Sequence, residues 1–223
     1  MNRISLSVRS WAVCGPLVLA LAAVLGSAAL ADVVRVEEDW ELVIGTPSPN
    51  SDAPQVTSVI SPLGNVESLH ATFVVNNHDV PTFTAGGLQL QVWDGETSVE
   101  SRHSPNQAVL TTPGETIRWT QAMELKEGGL TFEIVGGTST TWGAFGGEGT
   151  LKTIVPTSLA NLDGYSPDVS VENSGVSYAA NRVQSLKLKE VRKKLSTGEW
   201  VTDPDPAESR DVYPLPPPVE DAQ

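Results

Sequence analysis

TIRWTQAMELKEGGLTFEIV, residues 116–135, decides the fold. Ile117, Trp119, Met123 and Leu125 keep a period of two, and Leu130, Phe132 and Ile134 do the same after Glu127-Gly128-Gly129. That is the period of strands with one buried face. Two glycines suit a tight type I′ turn, and a turn centred on Gly128-Gly129 sets Leu125 opposite Phe132 and Met123 opposite Ile134. Arg118, Thr120, Glu124, Thr131 and Glu133 then face water. A sheet with one apolar face needs a second layer, and no long amphipathic helix is present to supply it. The expectation is an all-β chain folded as a single antiparallel β-sandwich, jelly-roll-like in plan.

The flanking sequence repeats this pattern. Val34, Val36, Trp40, Leu42 and Ile44 alternate with Arg35, Glu37, Asp39 and Glu41, with Glu38 the one misfit on the apolar side. Short strands are expected at residues 55–60, 69–76, 88–92, 97–102, 108–111, 151–155, 169–171, 175–178 and 185–195. The last of these mixes strand and helix spacing and is read as a strand with a bulge near Glu190. Asp94-Gly95 marks a hairpin. Residues 136–149, GGTSTTWGAFGGEG, hold six glycines and form a loop that carries Trp142 and Phe145. Trp40, Trp119 and Trp200 are read as core.

Both ends differ from this middle. Residues 1–31 open with Arg3 and Arg9, continue through an apolar run and end at Ala29-Leu30-Ala31, the pattern of a cleaved signal peptide. The alternative is a retained anchor, since roughly 20 apolar residues span a bilayer. Export implies a secreted, periplasmic or cell-surface location, with no membrane span after cleavage. Residues 203–223 contain six prolines and six acids and read as a disordered, polyproline-like tail. The sandwich is therefore assigned to residues 32–202. The only cysteine, Cys14, lies in the leader, so a core alone must hold the mature fold.

Loss of Arg3 and Arg9 leaves 12 of the 14 basic residues against all 27 acids, a net charge of −15. Such a surface repels nucleic acid and anionic membrane. Half of the remaining positive charge is gathered in Arg182, Lys187, Lys189, Arg192, Lys193 and Lys194, which is read as a charged edge strand.

Four groups of residues bear on function. Glu37, Asp39 and Glu41 share one strand face and look like the E-x-D-x-E strand of jelly-roll glycoside hydrolases, in which the outer glutamates would be nucleophile and acid/base. A charged, solvated strand face accounts for the same spacing. Trp142 and Phe145, with Trp93 near another loop, are the ligand-binding candidates, because an aromatic plane stacks on the C–H face of a sugar. The competing reading is that they fold back and plug the end of the sandwich. Asn50, Asp52, Asn161, Asp163 and Asp168 could offer oxygen ligands to calcium, with Asp163 and Asp168 the metal candidates, but none follows a calcium-loop spacing and plain turn roles suffice. His70, His78 and His103 lack metal-ligand spacing, and no cofactor is expected.

The VEEDWELVIG, APQVTSVISP, GGLQLQVWDG, TTWGAFGG and NRVQSLKLKEVR segments, following an export signal, resemble secreted bacterial β-sandwich proteins of uncharacterised function. The plan loosely resembles the concanavalin/laminin-G type of jelly roll. These resemblances imply architecture and carry no catalytic residues. The expected function is a non-catalytic binding module for glycan or another cell-surface ligand. The alternatives are a structural or envelope-associated protein-interaction domain and a glycosidase using Glu37 and Glu41.

Overall fold

The structure, a computed structural model, describes residues 31–46, 53–77, 86–108, 110–147, 149–203 and 210–214. The predicted leader, Asn50, Asp52 and His78 lie outside the described residues. β1 (Val33–Ile44) is the centre of the molecule. Its even-numbered residues Val36, Trp40, Leu42 and Ile44 are buried, as alternation requires. It pairs antiparallel with β11 (Val183–Leu195) on one side and β6 (Thr116–Lys126) on the other.

The eight-stranded sheet continues from β6 to β7 (Gly129–Ser139). Each outer edge is then covered by two short strands in series. β12 (Trp200–Thr202) and β13 (Arg210–Tyr213) both pair with β11, while β8 (Gly143–Phe145) and β9 (Lys152–Val155) both pair with β7. A five-stranded antiparallel sheet runs β10 (Gly175–Ser177), β2 (Gln55–Ile60), β3 (Leu69–Asn77), β4 (Gly86–Asp94) and β5 (Thr97–Ala108). Its Val56, Phe73, Val75, Leu88, Leu90 and Val92 join Trp40, Leu42, Ile117, Trp119, Met123, Phe132 and Leu188 in one core. This is a two-layer, all-β sandwich. Trp40 and Trp119, opposite each other on β1 and β6, stack at 6.1 Å and 5°.

Several expectations need correction. Residues 110–111 form a turn rather than a strand, and the expected loop over residues 136–149 is partly strand, its start belonging to β7 and residues 143–145 to β8. The β6–β7 turn falls on Glu127-Gly128, with Leu125 opposite Leu130 and Met123 opposite Phe132. Gly129 enters the ladder with φ +146°, and a Cβ there would collide with the Val155 carbonyl of β9. The slip is two residues, so every side chain keeps its face. Residues 169–171 belong not to a strand but to helix α1 (Pro167–Asn173), started by Pro167 and an acidic first turn. Trp200 is 46% exposed on edge strand β12. The ordered fold also extends beyond residue 202: β13 arises in the proline-free part of the tail, where every residue can donate to a ladder, and buries Val212. The strand at residues 185–195 is present with its bulge, one residue from the expected place.

Glu38 explains its own misfit. It is fully buried and accepts four hydrogen bonds: Tyr165 Oη at 2.7 Å and Ser170 Oγ at 2.5 Å on one oxygen, Trp40 Nε1 at 3.0 Å and Gln121 Nε2 at 2.6 Å on the other. These fill the four acceptor positions of a carboxylate. Gln121 in turn receives Ser58 Oγ at 2.7 Å and reaches the Val59 carbonyl at 3.2 Å, joining β1 and β6 to β2. Tyr165 and Ser170 bring in the crossover that carries α1. Burial raises the Glu38 carboxyl above its ordinary range, against the pull of its donors.

A raised value means that stability from Glu38 is full below the ordinary carboxylate range and is lost as pH rises through the folded value. Glu38→Gln imitates the protonated acid, since the two hydroxyls can turn to accept from its amide. Thermal melts between about pH 4 and about pH 8 should therefore show the stability of Glu38→Gln rising relative to wild type as pH increases. Glu38→Ala strands four donors and should cost at least about 3 kcal/mol throughout. A pH-independent difference between wild type and Glu38→Gln would refute this role.

Candidate functional site

The site is built by two β-bulges. On β11 an extra residue, Lys189, stands opposite the step from Asp39 to Trp40; on β7 an extra residue, Val135, stands opposite the step from Thr120 to Gln121. Asp39 pairs with Thr120 and Trp40 with Trp119, so the bulges flank the central β1–β6 pair at nearly one level. A bulge reverses the alternation of its strand. On β11 the buried residues change from Leu186 and Leu188 to Val191, which turns both Lys189 and Glu190 outward.

Between the bulges, the outer face of the sheet holds an open trough of about 440 Å³. Asp39 and Glu41 of β1, Arg118 and Thr120 of β6, Thr138 of β7 and Lys189 line it, and the backbone of Gly136-Gly137 forms part of its wall. Nothing lies within 4 Å of a Cβ placed on Gly136, so the missing side chain leaves space there. The volume falls within the range of small-ligand sites.

The polar groups of the trough are held by their neighbours. Thr120 Oγ1 donates to Asp39 at 2.5 Å, and Arg192 lies 3.4 Å from the same carboxylate. Arg118 donates to one oxygen of Glu41 through Nε at 2.8 Å and Nη2 at 2.6 Å. Glu37 is bound by Arg35 at 2.7 Å and Arg192 at 3.0 Å. Farther along, burial alone would raise the Glu124 carboxyl, but Lys126 and Arg35 hold it below the ordinary range. The Glu37–Asp39–Glu41 row is thus an arginine-laced ladder across β11, β1 and β6.

The three aromatic candidates do not converge. Phe145 is buried, 6.2 Å from Phe73 of the opposite sheet, and Trp142 stacks on it at 5.0 Å. Trp93 lies on the five-stranded sheet, half-buried, with Nε1 donating to Thr72 at 3.2 Å. The loop before Phe145 is fixed by a group that the sequence reading passed over. Buried Glu115 accepts from Ser139 Oγ at 2.5 Å and from the Thr141 amide at 3.1 Å. Burial would raise its carboxyl, but Ser139, Thr141 and Thr140 hold it below the ordinary range.

The calcium candidates have structural partners. Asp163 accepts from the Val33 amide at 2.8 Å and Asn161 from the Asp163 amide at 3.2 Å, the turn role open to these residues. Asp168 is exposed and lies 3.7 Å from Arg210. Among the described residues no group of three or more His, Cys, Asp and Glu side chains is placed to hold a metal, and no helix is long and apolar enough to cross a membrane.

No family model matches the chain, and no curated protein is similar to it.

Gly136 and Gly137 are adjacent but serve opposite faces. A Cβ on Gly137 would overlap the ring of Phe145. Gly137→Ala should therefore cost about 1–3 kcal/mol in urea denaturation, whereas Gly136→Ala should stay within about 0.5 kcal/mol of wild type. Equal losses would show that Phe145 does not rest on Gly137.

Proposed function

We propose that this protein is an exported, non-catalytic β-sandwich of jelly-roll type that binds glycan, with the trough between the two bulges as its site. One observation carries the reading: four strands set carboxylates, a guanidinium, an ammonium and hydroxyls around an open trough whose wall is bare glycine backbone. Sugars present adjacent hydroxyls that both donate and accept, and planar Asp, Glu and Arg groups engage such pairs with fixed geometry. Recognition here is by hydrogen bonding rather than stacking, since Trp40 and Trp119 turn their rings into the core. The leader pattern and the acidic composition support an extracellular or periplasmic setting. Catalysis by Glu37 and Glu41 has weaker support, because both carboxylates are clamped by arginines.

A protein-contact role has its own observation. Neighbouring Trp200 and Val201 are 46% and 41% exposed on β12. Such a role would use that edge rather than the trough.

Pull-down of the protein on a panel of insoluble polysaccharides separates these readings. Binding should fall about tenfold or more in Arg118→Ala, disappear in Gly136→Leu, which fills the trough without touching the core, and persist in Trp142→Ala. Loss in Trp142→Ala with retention in Gly136→Leu would move the site to the loop. Absence of binding to every polymer would favour the protein-contact reading.

A further inference from the structure

We infer that the ligand of the trough carries an anionic group, a carboxylate of the uronic acid type, received by Lys189 beside Arg118. This rests on the trough being the glycan site and specifies which glycans it takes. The observation is an imbalance of pairing. Acids outnumber bases 27 to 14 in this chain, and the cations of the sheet surfaces generally have partners. Lys187 pairs with Asp211, Lys152 with Glu133, Lys126 with Glu124 and Arg192 with Glu37, Asp39 and Glu190. Lys193 and Lys194 lie over the rings of Tyr165 and Trp200.

Lys189 differs. It is exposed, it lines the trough, and among the described residues no ion pair reaches it. Its position is a product of the β11 bulge, which inserts it opposite Asp39 and Trp40. An exposed charged residue does not need a bulge to reach water. The inserted residue instead sets a cation at the rim of the one trough that also contains Arg118. The Arg118 side chain is 63% exposed, and its Nη1 takes no part in the bonds to Glu41. Among the lining acids Glu41 is matched by Arg118, while Asp39 shares Arg192 with Glu37 and Glu190, and the lining cation with no acid against it is Lys189. Distant acids do not cancel it, since at physiological salt charges beyond about 8 Å are largely screened. The hydroxyls of the ligand hold it to the trough, and its carboxylate selects it.

The probe is soluble polygalacturonate compared with its fully methyl-esterified form, which keeps the hydroxyls and loses the charge. Wild-type protein should bind the free acid about tenfold more tightly, with the preference shrinking as salt is raised. Lys189→Gln should remove most of the preference, lowering affinity for the free acid far more than for the ester. Equal affinity for the two polymers in wild type would overturn the anionic assignment and leave the trough as a neutral glycan site. A preference that persists undiminished in Lys189→Gln would overturn the assignment of the carboxylate to Lys189. Binding of neither polymer, nor of any polysaccharide in the panel, would overturn the glycan reading itself.

Discussion

A fully buried carboxylate is costly, and Glu38 is the constraint around which the two sheets are joined. The desolvation cost is offset only if every acceptor position is filled and the donors stay where they are. Those donors come from β1, β6 and the α1 crossover, and Gln121 extends the network to β2. Hydrophobic packing alone would tolerate small shifts of one sheet over the other. The Glu38 network does not, because any displacement leaves a buried carboxyl and its donors short of partners. The register of β1 against β6 and the placement of the crossover are tied to the same atoms.

That fixed register is what gives the outer face its form. With Asp39 opposite Thr120 and Trp40 opposite Trp119, the β11 and β7 bulges meet the central pair at adjacent levels. The inner face is a continuous core and the outer face is a ladder of Arg35, Glu37, Arg192, Asp39, Glu41 and Arg118, opened at one place by the bare backbone at Gly136. Rigid strands, rather than the glycine-rich loop, hold the trough. The loop contributes to the interior: Phe145 enters the core and Trp142 lies over it, with Glu115 fixing the turn between.

Alternation of single residues made β1, β6 and β7 legible in the sequence, and a break in that alternation located the bulge on β11. Turn positions were less legible, because Gly128 and Gly129 permit two registers; in the one adopted, Gly129 lies close against the Val155 carbonyl of β9. The helix was missed because Val169 and Val171 fit a strand as well as one turn of α1. Glu38 read as a misfit for a different reason: Gln121, Tyr165 and Ser170 lie 83, 127 and 132 residues away in the chain. The trough was hidden in the same way. Its charged lining was visible residue by residue, but the level at which four strands bring Lys189, Asp39, Thr120 and Gly136 together is a property of pairing, and loop aromatics drew attention elsewhere.

The paired short strands along both edges of the eight-stranded sheet bear on how such a molecule behaves at high concentration. A long edge offers a template on which another copy can add a strand. Here β12 and β13 divide one edge and β8 and β9 the other, and each is only three or four residues long. Among the described residues, a foreign strand finds no long uninterrupted row of hydrogen-bonding groups along these two edges. Edges divided in this way disfavour growth by strand addition, and the broad charged face lies between them.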